Sequence, residues 1–382
     1  MQATTAQRSV LVLGGCGFVG YHLVSHFLKD PEFASVAVVS RHATKGKNHV
    51  DGASYHTGDL TNCSSIEKLL LEIRPTVIIH AASPSPVTGT PKEYQLVTIQ
   101  GTRNLLEIAK ASNDVRAFIY VSSCTLAKGS EHINLTEDYP LANTDPKSSA
   151  YARTKALAEI MVLEANKPPT ASESAAGEKS WMGYLCTASV RIPMFYGTHD
   201  PMLVPGCLSA LQKGQTNMLV GDGKNMWDAC SVENASVAHS LLVRALLDPN
   251  RPQGAVKVDG EAFNIHDGSS RLFWDVARTV WSIAGHQPKN ERVRFLPSWF
   301  ALGLASFLEW IFWIFTLGTK RPYNLGKQQV EYMCFTHTYS IEKAQTRLGF
   351  KPKQDFEKEF KKAVMWSLEQ GGWGKKLKEG GS

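Results

Sequence analysis

The chain has 382 residues, 43% of them hydrophobic and 20% charged, with a net charge of +6. That is enough for a large core in one large or two coupled domains. The basic residues are scattered and no zinc-finger spacing occurs, which argues against nucleic acid as a partner. Seven cysteines, at 16, 63, 124, 186, 207, 230 and 334, are odd in number and widely spaced, with no Cys-x-x-Cys. Such usage fits reduced thiols facing a cytosol, not a disulfide frame or a metal site. Residues Met1–Ser9 are polar, so secretion is not expected.

Val10–Leu13 is a short apolar run ending in glycines, which reads as a buried parallel strand. It leads into Gly14, Gly15, Cys16, Gly17, Phe18, Val19 and Gly20, then a helical stretch Tyr21–Leu28. Strand, glycine turn and helix in that order are the setting of a dinucleotide-binding turn. Gly14 would allow the tight turn, Gly17 the approach of a pyrophosphate, and Gly20 close helix–strand packing. The helix start would offer free N–H groups. The spacing is Gly-x-x-Gly-x-x-Gly, and a plain glycine turn is the alternative.

Val36–Val39 is the second strand. A carboxylate at its end ordinarily binds the adenosine ribose, but here Ser40-Arg41-His42 stands, with Lys45 and Lys47 behind. A cation where a 2′-phosphate would lie favours NADP over NAD; a solvated loop arginine is the bland alternative. Gly58-Asp59-Leu60 follows a third strand, with Asp59 placed to accept from an adenine amino group. Val77–His80 is a fourth strand, and the small Ala81 and Ala82 after it let backbone approach a cofactor. His80 reads as a packed strand-end residue, not a base or metal ligand. Gly101–Ala109 is helical. Phe118–Val121 is a fifth strand delivering Ser122 and Ser123 to the C-terminal edge, where ligands of such sheets sit.

Tyr151 and Lys155 are four residues apart on a helical stretch and share a face. Free tyrosine titrates near ~10, and a nearby ammonium would lower that value. The phenolate could then take the proton of an alcohol. Ser123, 28 residues earlier, could polarise the substrate oxygen.

Ala165–Ser180 reads as an exposed loop, Thr187–Ile192 as a strand, and Pro201–Gly223 as loops and one helix covering the cofactor. Asp228–Val237 should return to the sheet side, and Val232–Leu247 is helical. Phe295–Gly318 stands apart: 24 residues with three tryptophans and one charge, Glu309. As a helix it would be about 36 Å long, enough to cross a bilayer. Arg292, Arg294, Lys320 and Arg321 bracket it. A monotopic membrane anchor beside the substrate mouth is expected, with a buried helix as the alternative. Ser340–Leu368 reads as helical and basic, and Gly371–Ser382 as frayed.

Taken in order, the glycine turn, Gly58-Asp-Leu60, the strand-end serines and Tyr151-x-x-x-Lys155 resemble the extended short-chain dehydrogenase/reductases. His80–Pro84, Gly101–Asn104, Leu203–Gly206, Phe273–Trp281 and Ala344–Pro352 resemble the 3β-hydroxysteroid dehydrogenase branch, and within it the fungal decarboxylating sterol-4α-carboxylate 3-dehydrogenases. The likeness implies an α/β fold, a doubly wound parallel sheet with a smaller C-terminal substrate-binding region. Residues 8–200, with a contribution from about 228–265, would form the NAD(P)-binding domain. Residues 201–227 and 266–368 would bind substrate, 295–318 would meet the membrane, and 369–382 would be a tail.

The resemblance further implies Tyr151 as general base, Lys155 as its pKa-lowering partner and holder of the nicotinamide ribose, and Ser123 as orienter of the substrate oxygen. Gly14, Gly17, Phe18, Val19 and Gly20 would cradle the pyrophosphate, Asp59 and Leu60 the adenine, and Arg41, Ala81 and Ala82 would complete the cofactor site. The reaction implied is oxidation of a 3β-hydroxyl on a sterol, triterpenoid or meroterpenoid, with loss of a neighbouring 4-carboxylate as carbon dioxide. The protein would work on the cytosolic face of the endoplasmic reticulum membrane, or in the cytoplasm; a homodimer stays open. Three features depart from the pattern: Thr98 replaces an asparagine, Ser40 and Arg41 replace an acidic residue, and the Ala165–Ser180 loop is long. They point to a diverged relative. The rival readings are a sugar-nucleotide epimerase or reductase, a 3β-hydroxysteroid dehydrogenase/isomerase, and an NADP-sensing regulator.

Overall fold

A computed structural model describes residues 8–43, 48–170, 181–250, 252–287, 293–317 and 326–379. Its centre is a seven-stranded parallel sheet. The strands run in the order Glu261–Asn264, Cys186–Ile192, Ala117–Ser123, Val77–His80, Arg8–Leu13, Phe33–Ser40, Ser54–Thr57. Val10 to Leu13, Val77 to Ile79 and Phe118 to Tyr120 are almost wholly buried, as expected of strands covered on both faces. One face packs against the helices Phe18–Phe27 and Val232–Leu247, through Leu23, Phe27, Leu242 and Leu246. The other packs against Cys63–Ile73, Gly101–Ala111 and Ala150–Glu164, through Ile66, Leu105 and Val162.

The chain leaves Arg8–Leu13 toward one edge and returns to its other side at Val77–His80. The crevice of this doubly wound sheet therefore opens where Leu13 and His80 end side by side. Gly14, Ala81 and Ala82 follow directly at that point.

A second, five-stranded sheet joins Ser270–Leu272, Met226–Ser231, His337–Tyr339 and His132–Leu135 in that order, with Met194–Tyr196 also paired to Met226–Ser231. It packs with the helices Leu203–Gln212, Phe273–Ile283 and Phe356–Glu369 around Trp227, Trp274, Trp281 and Phe360. Two expectations are corrected here. Residues 226–231 enter this second sheet, and the return to the main sheet comes only at Glu261–Asn264. The stretch after Gly371 holds a helix, Trp373–Glu379, because Trp373 and Leu377 pack on the aromatic cluster and Gln212 Nε2 donates to Lys376 O at 3.0 Å. The segment from Ser340 is two helices, Glu342–Leu348 and Phe356–Glu369, broken at Gly349 with φ +64°.

The apolar segment forms a short strand, Arg294–Leu296, and a helix, Ser298–Thr316, long and apolar enough to cross a membrane. Ala301 and Ala305 alone are buried in that helix, against Val330 and Cys334. Trp299, Phe307, Trp310, Trp313 and Phe315 are exposed. Arg292, Lys320 and Arg321, Lys45 and Lys47, and 171–180 of the long loop lie outside the described residues.

Candidate active site

Tyr151 lies in the first turn of Ala150–Glu164, a helix capped by Ser149 Oγ, which accepts the Ala152 N–H at 3.1 Å. Lys155 follows one turn later. Both side chains are buried, Tyr151 at 9% and Lys155 at 3% exposure, against the C-terminal end of Ala117–Ser123. The Tyr151 hydroxyl comes within reach of the Ser123 side chain, and Ser123 Oγ shares a hydrogen bond with Thr125 Oγ1 at 2.9 Å. Lys155 Nζ donates to Val121 O at 2.8 Å and lies 4.5 Å from the centre of the Tyr120 ring. The sequence-predicted serine, tyrosine and lysine are thus brought together.

The electrostatics differ from the expectation. Burial pushes the Tyr151 phenol up to about 12, and the Ser123 side chain opposes it. Burial also pulls Lys155 down to about 7, with Glu159 one turn below acting the other way. The ammonium is engaged with Val121 O beneath the helix. Glu159 is itself fully buried, bonded to Arg191 at 2.6 and 2.9 Å and to Ser189 Oγ at 2.7 Å.

Two further phenols adjoin the site that sequence reasoning missed. Tyr94 packs edge-on to Tyr151 at 5.7 Å and donates to Ser85 O at 2.6 Å. It begins a π-helical stretch, Tyr94–Gln100, a rare form that gathers at functional sites. Tyr332, on the helix Lys327–Cys334, is stacked on His337 at 4.1 Å and lies within electrostatic range of Tyr151. No local pattern marks either residue.

The glycine turn is built for close approach. Gly14 has φ +81°, and a Cβ there would stand 2.8 Å from Ala82 Cα. A Cβ on Gly20 would stand 2.2 Å from Gly14 O. Gly17 caps Phe18–Phe27 with no side-chain cap hydrogen bond, so no side chain at the cap competes for the first N–H groups of the helix, those of Phe18 and Val19 among them. Ala81 N donates to Leu13 O at 3.0 Å. This backbone cradle fits the diphosphate of a dinucleotide.

Arg41 is exposed and lines a cleft of about 180 Å³ with Ser83, Ser85 and Thr88, without an ion-pair partner among the described residues. Asp59 Oδ1 accepts from the N–H and Oγ1 of Thr61, both at 2.9 Å; Leu60 beside it is buried and backs Gly101.

The model of the 3-beta hydroxysteroid dehydrogenase/isomerase family matches residues 11–296, from the first strand through the crevice and into the second sheet. The chain belongs to that family. It is an oxidoreductase of the 3β-hydroxysteroid dehydrogenase type. Among its relatives is the decarboxylating sterol-4-alpha-carboxylate 3-dehydrogenase of Schizosaccharomyces pombe, 33% identical over 94% of this chain and 97% of that protein. The Saccharomyces cerevisiae enzyme of the same name is 31% identical over 94% and 97%. Among solved structures, the UDP-glucose 4-epimerase of Thermus thermophilus in complex with NAD superposes with a TM-score of 0.64 at 24% identity, covering 94% of this chain and 98% of that one. The epimerase of Thermotoga maritima gives 0.66 at 20%, covering 95% and 99%. These two share the fold of this 3β-hydroxysteroid dehydrogenase family member.

Proposed function

We propose that the chain oxidises the 3β-hydroxyl of a sterol or terpenoid that carries a neighbouring 4-carboxylate, with NAD(P) as cofactor, and that carbon dioxide is lost from the product. The observation that carries this reading is the convergence of Ser123 and Tyr151, with Lys155 one turn below, at the C-terminal edge of the sheet. The named relatives act on sterol 4-carboxylates, which supports the substrate class.

A bound nicotinamide supplies the hydride acceptor. Gly14, Gly17, Phe18, Val19 and Gly20 would hold its diphosphate, Asp59 and Leu60 its adenine, and Ala81 and Ala82 its middle. Arg41, with Ser83 and Ser85 across the cleft, would receive a 2′-phosphate, which favours NADP. Lys155 would hold the ribose hydroxyls.

Ser123 donates to the substrate oxygen while Tyr151, as phenolate, removes its proton. The carbon becomes a ketone, and the neighbouring carboxylate becomes that of a β-keto acid. The C–C bond to the carboxylate then breaks, its electron pair passing into the carbonyl as an enolate. Tyr151, now protonated, and Ser123 donate to the enolate oxygen, the place where charge develops. A proton returned to the carbon completes the ketone.

Residues 201–227 and 266–368 supply the substrate side in this reading, and Ser298–Thr316 lies on a membrane. The exposed tryptophans and phenylalanines of that helix form a face suited to a bilayer surface. None of the seven cysteines is joined in a disulfide, which supports the cytosolic side, at the endoplasmic reticulum. A nucleotide-sugar substrate would have no use for such a helix.

The test is a cofactor-reduction assay on detergent-solubilised protein, with lipophilic 3-hydroxy terpenoids that have or lack a 4-carboxyl group. Turnover of the carboxylates with product short of one carbon dioxide is expected. Turnover of nucleotide sugars alone would refute the reading.

A further inference from the structure

His80 ends the strand beside Ala117–Ser123 and is paired in register with Tyr120. Its ring is 1% exposed and stands 5.4 Å from the Tyr120 ring, centre to centre. Lys155 Nζ lies 4.5 Å from the centre of the same Tyr120 ring. The imidazole and the ammonium are therefore both neighbours of one buried aromatic ring, between the sheet and the helix that carries Tyr151.

The tautomer of His80 follows from its hydrogen bonds. Thr102 Oγ1 is 3.0 Å from His80 Nε2 and donates its only proton to Thr98 O at 2.6 Å. Thr102 can then only accept from His80, so Nε2 carries the proton and Nδ1 is a bare acceptor. That Nδ1 is buried and has no partner among the described residues. Buried polar atoms are ordinarily bonded, and one left bare needs a reason. The ammonium has three N–H donors, of which Val121 O takes one.

We propose that His80 is a positioning residue for the reaction: its Nδ1 accepts from the Lys155 ammonium across one water, and Thr102 fixes the tautomer that permits this. The inference rests on the reading of Tyr151 and Lys155 as the reacting pair. It gives His80 a task beyond packing: to keep the lysine charged and aimed, despite burial that disfavours the charge. The other titratable groups around Lys155 are Glu159 and Tyr151 on its own helix and Tyr120 on the strand beneath.

Two substitutions separate the nitrogens. His80→Asn offers an acceptor near the Nδ1 position and cannot reach Thr102. His80→Gln reaches Thr102 and offers nothing at Nδ1. With His80→Gln the charged lysine loses support, so the alkaline limb of the pH–kcat profile moves down by about one pH unit and kcat falls about tenfold. His80→Asn restores the limb and most of kcat. Thr102→Val, which frees the tautomer, moves the limb in the same direction as His80→Gln, and it decides the matter if thermal melting shows that neither His80 variant folds. Equal losses in both His80 variants with an unmoved limb, or an unmoved limb in Thr102→Val, overturn the proposal. Tyr151→Phe run alongside tells the two failures apart. If it keeps full turnover, the Tyr–Lys reading itself fails; if it is dead while His80→Gln matches wild type, the role of His80 alone fails.

Discussion

Glu309 Oε1 accepts the backbone N–H of Lys327 at 2.9 Å, tying the middle of the apolar helix to the start of the next one. The one ionisable side chain of Ser298–Thr316 is therefore engaged inside the protein. Ala301, Ala305 and Glu309 recur every four residues, so they form one protein-facing stripe. If the helix meets a bilayer as proposed, one held along its length in this way would lie in the plane of the surface. Cysteines introduced at Ser298 and Thr316 should both react from the same side of a vesicle with an impermeant thiol reagent; labelling from opposite sides would mean a span. Replacing Phe307, Trp310 and Trp313 together by serine should weaken vesicle binding at least tenfold, since each buried aromatic contributes about 1.5–3 kcal/mol. Activity on detergent-dispersed substrate should stay within about twofold.

Removing the phenolic oxygen with Tyr151→Phe should lower kcat by about 10²–10⁴ and leave the thermal midpoint nearly unchanged. Ser123→Ala removes the group that opposes the upward push on the phenol. The acid limb of the pH–kcat profile should therefore move to higher pH. An acid limb at its wild-type position in Ser123→Ala would remove Ser123 from this role.

Lys155 gives a stability signature in the free protein. Its pKa is about 7 when folded against 10.5 for a free lysine. Below pH 7 the lysine is charged in both states, and its burial is fully unfavourable. Between about 7 and 10.5 the unfolded chain binds the extra proton, so stability rises with pH. Lys155→Met should therefore be the more stable protein at pH 7 and below, by a few kcal/mol, and the difference should vanish toward pH ~10.5. Denaturant titrations at a series of pH values would measure this, and a difference independent of pH would contradict it.

Arg41→Ala should raise KM for NADP by about ten- to a hundredfold, the range of a charged hydrogen bond worth about 1.5–3 kcal/mol, with KM for NAD little changed. Steady-state kinetics with both cofactors decide it. An equal effect on both cofactors would mean that Arg41 does not meet a 2′-phosphate.

Breaking the buried pair of Arg191 and Glu159 is expected to cost stability. Both side chains are at most 7% exposed, and Glu159→Ala leaves the guanidinium without its carboxylate. A loss of about 3–5 kcal/mol is expected, read as a drop in the denaturation midpoint.

The parts of the fold that were legible in the sequence are those with local patterns. Val10–Leu13, the glycine turn, Val77–His80 and Phe118–Val121 announce themselves because a strand buried on both faces is an apolar run closed by small residues. The second sheet does not, because its strands are short and come from distant segments. His132 and His337 meet across it from 205 positions apart. The Trp373–Glu379 helix was missed because its seven residues are mostly polar, and only the packing of Trp373 and Leu377 holds it. In the site, the Tyr151–Lys155 spacing was visible, but its electrostatics depend on burial and on where the ammonium is spent. Tyr94, at the start of the π-helical stretch, meets Tyr151 only through the fold.

On the proposed membrane reading, the aromatic face of Ser298–Thr316 would change what substrate concentration means for this protein. Once docked, the enzyme searches a sheet of lipid, and the governing quantity is the mole fraction of substrate in that sheet. Adding inert phospholipid at fixed total substrate should slow the docked enzyme by surface dilution, although nothing in the bulk solution has changed. A soluble enzyme of the same fold would have no such dependence.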